Sequence, residues 1–244
     1  MVLFRKVLVV SDNLFLISHF HSLVSPFTET EVTYCCSPGK TSLLDNPLLP
    51  VKVFAIDMKK DQTGLPSKYD LIFSLHCKQL FPAELIKKIK CINVHPGFNP
   101  YNRGWFPQVF SIVNGMKAGA TIHEIDEQLD HGAIIAQREV PIESYDTSMS
   151  VYEKIQTAEV ELLKENLENI LSNNYSTFLP KEEGKVNLKK DFNALCKIDL
   201  NKRVTMKWAL DYLRALTHGD YKNAYFIDEH TGSKVFVTLR LEKE

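Results

Sequence analysis

Glycine is scarce where a nucleotide-binding fold would need it. Only Gly39 and Gly64 precede Gly97, and the first β-branched run continues into Ser11-Asp12-Asn13-Leu14-Phe15. A dinucleotide fingerprint and a P-loop both place glycines at that turn so that backbone N–H groups can close on a phosphate, and neither motif is present. The five cysteines (Cys35, Cys36, Cys77, Cys91, Cys196) are odd in number and show no CxxC spacing. They read as reduced thiols of a cytoplasmic protein. HEID at His123 lacks the second histidine of HExxH, and no Cys/His group has zinc-ligand spacing, so no metal is expected. A G-x-S-x-G elbow is absent too. The apolar runs fall far short of the ~18 residues of a membrane span. The N-terminal MVLFRKVLVVSDN lacks a small-residue cleavage site and reads as a first strand, not a signal peptide.

Charge of either sign is in short supply as a net quantity. The 29 Lys and Arg against 30 Asp and Glu leave −1, which gives no global field to draw nucleic acid or an anionic membrane. From Gly184 onward 12 Lys and Arg stand against 8 Asp and Glu, a mild excess that suits a small anionic ligand better than a long phosphate backbone. A chain of 244 residues, 44% hydrophobic, can bury a sizeable core in one medium domain plus an appendage.

What is present is alternation. Strands are expected at Lys6–Val10, Glu31–Tyr34, Val51–Ile56, Leu71–Leu75 and Ile92–His95, with helices over Leu14–Val24 and after Phe81-Pro82. Such alternation predicts a Rossmann-like α/β fold, a mostly parallel sheet flanked by helices. A helix over Pro107–Asn114, strands over Ala120–Ile125 and Ala133–Val140, and a long helix from Asp146 or Thr147 to about Leu171 follow. In that helix Val151, Ile155, Ala158 and Leu162 recur at spacings of three and four, so one face packs on the core. Pro180 to Asp191 reads as a linker, after which a helix (Thr205–Leu216) and a hairpin (Ala224–Ile227 and Lys234–Leu239) form a small C-terminal module. The expected division is 1–180, catalytic, and 181–244, a helix plus β-hairpin for substrate contact and dimerisation.

The chemistry concentrates between Asn93 and Gln137, which holds five of the ten glycines and three of the eight histidines. Asn93 and His95 lie two apart at a strand end and so project to one side. Pro96-Gly97 then turns the chain away, leaving the pair at the carboxyl edge of the sheet, where ligands gather in open α/β folds. An amide and an imidazole side by side suit acyl transfer. The Asn93 amide and a protonated His95 would donate to the oxyanion that forms when an amine attacks a carbonyl. Asp130, in the turn Leu129-Asp130-His131-Gly132, would orient the imidazole and raise its pKa. The bland alternative is that Asn93 and His95 are merely satisfied polar groups.

Taken together, these residues resemble the folate-dependent formyltransferases, a family that includes glycinamide ribonucleotide transformylase, methionyl-tRNA formyltransferase and the sugar N-formyltransferases. The pattern stands as Asn93-Val94-His95-Pro96, Pro100-Tyr101-Asn102-Arg103-Gly104 and Leu129-Asp130-His131-Gly132-Ala133-Ile134, and the likeness is clear over residues 69–172. The resemblance implies 10-formyltetrahydrofolate as co-substrate and no metal. Its pterin would lie in a slot at Leu75–Phe81 and Asp126–Asp130, with Leu75, His76, Cys77, Lys78, Leu80, Phe81, Asp126 and Gln128 as the contacts. Asn93 and His95 would polarise the formyl group, and Asp130 would hold His95 and a water.

The tail bears on the acceptor. Methionyl-tRNA formyltransferases carry a much longer C-terminal barrel, and glycinamide ribonucleotide transformylases a glycine-rich loop after strand one, so this chain resembles neither closely. The segment from Trp208 to Phe226 is similar to sugar N-formyltransferases, and Asn99-Pro100-Tyr101-Asn102-Arg103-Gly104-Trp105-Phe106-Pro107-Gln108 is similar to the subgroup that formylates dTDP-4-amino-4,6-dideoxyglucose for surface polysaccharide such as O-antigen. That resemblance implies that Arg103 meets the diphosphate, that Trp105, Phe106 and Gln108 line the sugar pocket, and that Ser11, Asn13, Gly104, Arg214 and Tyr221 also touch substrate. Core packing of Trp105 and Phe106 and a surface ion pair for Arg214 are the alternatives. Tyr225, Phe226, Val235 and Val237 offer an apolar face that implies a homodimer. Rival functions are formylation of a dTDP-3-amino sugar or of glycinamide ribonucleotide, formyltetrahydrofolate hydrolysis, and folate binding without catalysis.

Overall fold

The computed structural model describes residues 3–244. The chain runs β1 (Lys6–Ser11), α1 (Leu14–Val24), β2 (Glu31–Cys36), β3 (Val53–Ala55), α2 (Met58–Asp61), β4 (Leu71–Leu75), α3 (Ala83–Ile86) and β5 (Lys90–His95). It continues through β6 (Arg103–Gly104), α4 (Pro107–Asn114), β7 (Ala118–Glu124), β8 (Ile134–Val140), α5 (Ser148–Leu171), β9 (Val186–Asn187), α6 (Lys189–Cys196), α7 (Met206–Leu216), β10 (Tyr225–Ile227) and β11 (Lys234–Phe236).

Seven strands form one sheet in the order β3-β2-β1-β4-β5-β7-β8. The first five are parallel, and β7 and β8 run antiparallel. Central β1 reads as an unbroken apolar run because both of its faces are covered. Val7 and Val9 join the core beneath α1 and α5, while Leu8 and Val10 join a second core with Met58, Leu85 and Ile89. The helices begin where capping chemistry allows. Asn13 Oδ1 accepts from Leu16 N at the start of α1, and Thr147 with Ser150 forms a capping box on α5. Along α5, Val151, Ile155, Ala158 and Leu162 are buried, as their spacing predicts.

The α1, β4 and α4 bounds match the sequence expectations, and most other elements differ by a few residues at their ends. One region differs in kind. The segment expected to be a linker turns back at Gly184, where β9 pairs in parallel with β6 and Trp105 N donates to Asn187 O at 2.8 Å. Helix α6 then begins at Lys189. The stretch looks polar because its one deeply buried side chain is itself an amide: Asn187 is fully buried and donates to Asn102 Oδ1 at 3.3 Å. The C-terminal elements are therefore stitched to the loop that leaves β5. Arg214 of α7 fastens them further, donating to the carbonyls of Glu143 and Asp146 at 3.0 and 2.8 Å. No helix among the described residues is long and apolar enough to cross a membrane.

Candidate active site

Three strand ends meet at the carboxyl edge of the sheet. Ser11 of β1 lies opposite Leu75 of β4, and Leu75 lies opposite Val94 of β5. The loops that follow open a cleft of about 780 Å³ bordered by Asn13, His76, Asn93, His95, Gly104 and Asp130. Its far wall comes from the C-terminal elements: Leu188, Phe192, His218, Tyr221 and Asn223.

Asn93, His95 and Asp130, 37 residues apart at the extremes, are brought together on the cleft floor. Asn93 Nδ2 donates to Asp130 Oδ1 at 3.0 Å, and His95 Nδ1 lies 3.6 Å from Asp130 Oδ2. Asp130 is pinned from several sides. Gly104 N donates to its Oδ2 at 3.1 Å, Asn99 Nδ2 donates to its backbone carbonyl at 2.8 Å, and its φ of 47° holds the turn in the left-handed region. Close approaches explain two glycines. A Cβ on Gly132 would stand 1.9 Å from Glu124 O, and one on Gly97 would stand 2.4 Å from His95 Nε2. That Nε2 is buried and has no hydrogen-bond partner among the described residues. An orphaned polar atom on the floor of a cleft is what a polar ligand group would satisfy.

The electrostatics correct one expectation. Asp130 does not win over burial at His95: burial pushes the imidazole down to about 4, with Asp130 opposing and His123 and His76 adding to the fall. The ring is therefore neutral near pH 7, not protonated in advance. Burial also works against the Asp130 charge, but His95, His123 and the Gly104 N–H outweigh it and hold the carboxyl at about 2. The closest side-chain bond of Asp130 is to Asn93 rather than to His95.

The arrangement also contains a residue that sequence reasoning passed over. His123 of β7 faces Asn93 across the antiparallel pair. Its Nδ1 lies 2.7 Å from the Glu124 carbonyl, which can only accept, so Nδ1 carries a proton and donates. In the neutral ring Nε2 is then an acceptor, and Asn93 Nδ2 donates to it at 3.2 Å. Both Asn93 amide protons are thus engaged, one by His123 and one by Asp130, whereas the sequence expectation left one free for an oxyanion. The only sequence signal at His123 was a failed metal motif.

Other expected contacts divide. Asn13, His76, Cys77, Lys78, Leu80, Gly104, Trp105, Phe106, Gln108 and Tyr221 border the cleft. Trp105 has two ammonium groups close to its ring, Lys78 Nζ at 5.7 Å and Lys189 Nζ at 5.6 Å from the centroid. Phe106 also packs on Phe192, so lining and packing coexist. Burial pushes the Cys77 thiol up to about 11, so it is no thiolate nucleophile at neutral pH. Ser11, Leu75, Phe81, Asp126 and Gln128 do not border the cleft. Ser11 is buried and donates to Leu75 O at 2.7 Å, Leu75 is core, and Asp126 takes His131 at 2.6 Å. Arg103 is buried, donates to Glu183 and to Gly184 O at 3.2 and 3.3 Å, and does not border the cleft. Arg214 borders a separate groove and serves as the fastening already described, not as a cleft residue. No group of three or more His, Cys, Asp or Glu side chains is arranged to hold a metal among the described residues.

A Rossmann-like sheet with an amide, an imidazole and a carboxylate converging at its carboxyl edge defines an acyl-transfer enzyme of the formyltransferase class. Residues 52–167 match the formyl transferase family and residues 191–243 the N-formyltransferase dimerization C-terminal domain. A dTDP-4-amino-4,6-dideoxyglucose formyltransferase of Mycobacterium tuberculosis is 48% identical over 240 residues, covering 98% of this chain and 97% of the relative. Two solved structures align along nearly all of both chains. A 4-N formyltransferase from Francisella tularensis has a TM-score of 0.95 at 50% identity, covering 98% of this chain and 99% of its own. A sugar N-formyltransferase from Shewanella has 0.92 at 43%, again covering 98% and 99%. The chain belongs to the formyltransferase family and is an enzyme of that kind.

Proposed function

We propose that this protein moves a formyl group from 10-formyltetrahydrofolate to the 4-amine of dTDP-4-amino-4,6-dideoxyglucose, in the cytoplasm, on the way to a surface polysaccharide. The observation that carries the reading is the meeting of Asn93, His95 and Asp130 beside the orphaned His95 Nε2 on the floor of the cleft.

In this reading the amine attacks the formyl carbon, and negative charge grows on its oxygen. The Asn93 proton now shared with His123 at 3.2 Å, the longer of its two bonds, is the one available to that oxygen. His95 starts neutral, and the developing charge favours its protonation, so the imidazole becomes a donor as the intermediate forms. Ionised Asp130 stabilises that imidazolium and keeps the Asn93 amide aimed. In this reading the pterin is held by His76–Leu80 and Leu129-Asp130, the parts of the two expected segments that border the cleft. The C-terminal wall around Tyr221 and Asn223 holds the acceptor, with Lys78, which borders the cleft, in place of Arg103 and Arg214 as the cation that meets it. The division near residue 180 separates a catalytic part from a module through which two copies pair, in keeping with the dimerization-domain match.

The test is formylation measured side by side on dTDP-4-amino-4,6-dideoxyglucose, a dTDP-3-amino sugar and glycinamide ribonucleotide at saturating donor. Preference for the first in kcat/KM is expected. A faster rate on either rival removes the substrate assignment, and formate release that ignores every acceptor marks a hydrolase instead.

A further inference from the structure

The segment that precedes α6 lies hard against the loop that leaves β5. At one end of that loop, a Cβ on Gly184 would stand 1.5 Å from Pro100 O. At the other, a Cβ on Gly104 would stand 2.4 Å from Asn187 O. Gly104 N is also one of the groups that hold the Asp130 carboxylate, 3.1 Å from its Oδ2. Glu183, on this strap, touches the residue on either side of that bond. Arg103, which precedes Gly104, donates from Nη2 to Glu183 Oε2 at 3.2 Å. His131, which follows Asp130, brings Nε2 to 3.3 Å from Glu183 Oε1.

The second nitrogen of His131 faces a carboxylate too, with Nδ1 at 2.6 Å from Asp126 Oδ2. A neutral imidazole has one N–H and one lone pair, and a lone pair turned to a carboxylate repels it. Both contacts are therefore hydrogen bonds only while the ring is an imidazolium. Neither carboxyl supplies the missing proton near neutrality, because both are open to water: the Glu183 side chain is 77% exposed and that of Asp126 41%. The bond to Asp126 raises the His131 pKa above its ordinary 6.5, helped by Glu183 and opposed by burial and by Arg103. The charged groups that bear on the ring are thus Asp126 on its own turn, Glu183 on the strap and Arg103 on β6. Its neighbour Asp130 turns its carboxylate to Asn93, Gly104 and His95 instead.

We propose that His131 and Glu183 are positioning residues for the reaction, bracing the Asp130 carboxylate from both sides. The imidazolium ties the Asp130 turn to the strap. Glu183 holds Arg103, and with it the Gly104 N–H, at the other end of the same bond. The sign of the pH dependence follows from a raised pKa. The brace is complete below that value and slackens as pH rises through it, when one nitrogen of His131 turns a lone pair to a carboxylate. Asp130 keeps its bond to Asn93, so the loss is partial. An ion pair this open to water is worth only about a two- to fivefold factor. The proposal rests on formyl transfer taking place beside Asp130 and on nothing about which sugar bears the amine.

The experiment compares wild type, His131→Gln, Glu183→Gln and the double variant, each shown to be folded by circular dichroism. With any amine that the wild type formylates, kcat at pH 6 should fall about two- to fivefold in each single variant, with KM for the acceptor within about twofold. The two losses should not multiply in the double variant. Wild-type kcat should step down to a lower plateau as pH rises through the titration of His131 and meet the His131→Gln rate there, while His131→Gln shows no such step. Proton NMR of the free protein gives a readout that needs no acceptor: His131 should titrate above 6.5, and Glu183→Gln should lower that value. Full kcat in both single variants, losses that multiply, or a step that survives in His131→Gln overturns the proposal. So does a His131 that titrates at or below 6.5, or one that ignores Glu183→Gln. A wild type that formylates no amine removes the reading of the cleft and the positioning role with it, whereas an active wild type beside variants of full kcat removes the positioning role alone.

Discussion

Replacing Gly97 by alanine should disable turnover while leaving the fold in place. The added Cβ would stand 2.4 Å from His95 Nε2, 2.8 Å from Cδ2 and 3.3 Å from Pro107 Cβ. Ordinary contact begins near 3.4 Å, so the imidazole must retreat by about 1 Å. Pro107 is buried and begins α4, so the methyl cannot escape toward it. A misplacement of about 1 Å in a reacting group costs roughly 100-fold in rate. The stability effect is smaller: overpacking costs about 1–3 kcal/mol, offset by about 0.4–1 kcal/mol from a stiffer unfolded chain. The backbone of Gly97 is not left-handed, so alanine adds no conformational strain. The expected result is a melting temperature within several degrees of wild type and kcat lowered about 100-fold at saturating donor and acceptor. A variant with normal stability and kcat within threefold of wild type would mean that the position of His95 does not govern the rate, and the argument for the site would fail.

Three further outcomes follow from the same geometry. His123→Phe removes the acceptor for one Asn93 proton and the donor to the Glu124 carbonyl; losing these buried bonds should cost about 1–3 kcal/mol of stability, and urea unfolding with an unaltered midpoint would refute it. Stability should decline on acidification, because unfolded His95 takes up a proton near 6.5 while the folded ring resists until about 4. The contribution is about 3 kcal/mol between those pH values, so urea unfolding at pH 7 and pH 4.5 should show a smaller acid loss in His95→Asn than in wild type. Val235 and Phe236 are exposed on the hairpin, so the double variant V235D/F236D should sediment as a 27.9 kDa monomer where the wild type sediments as a dimer; a dimeric variant would place the pairing surface elsewhere.

The parts of the fold visible in the sequence were those with a local cause. Helix α1 begins at an asparagine cap and β4 is five buried residues between turns, so both read correctly from pattern alone. Asn93 and His95 were legible because strand periodicity puts them on one side, and Asp130 because its turn resembled a family motif. What was hidden depends on distant partners. Nothing local to Val186-Asn187 says that it will pair with Arg103-Gly104, and the buried Asn187 disguises the segment as a linker. Arg103 lies in a recognisable motif, yet its direction was set by Glu183 and Gly184, 80 residues later. The His95 proton was misjudged for a related reason: a carboxylate neighbour can be read from sequence, whereas the burial that outweighs it cannot.

The two antiparallel strands added to the parallel sheet are what make this edge a reaction centre. A parallel successor to β5 would bring only its own end residue beside His95, and its loop would lead away. Strand β7 instead runs back along β5, so its interior lies against the site: His123 opposite Asn93 and Thr121 opposite His95. His123 then takes the Asn93 amide, and Thr121 Oγ1 donates to Gly97 O at 2.7 Å while accepting from Asn99 N at 3.1 Å. Asn99 in turn holds the Asp130 carbonyl. The geometry around the reacting carbonyl is thereby fixed by β5, β7 and the loops they brace, and by no residue beyond Leu188. The opposite wall, with Tyr221 and Asn223, comes from the C-terminal elements and touches none of those bonds. On the proposed function, the bonds that aim the reacting groups and the C-terminal part of the acceptor wall therefore lie on separate stretches of chain. A change of acceptor could arise in the tail without disturbing the position of His95.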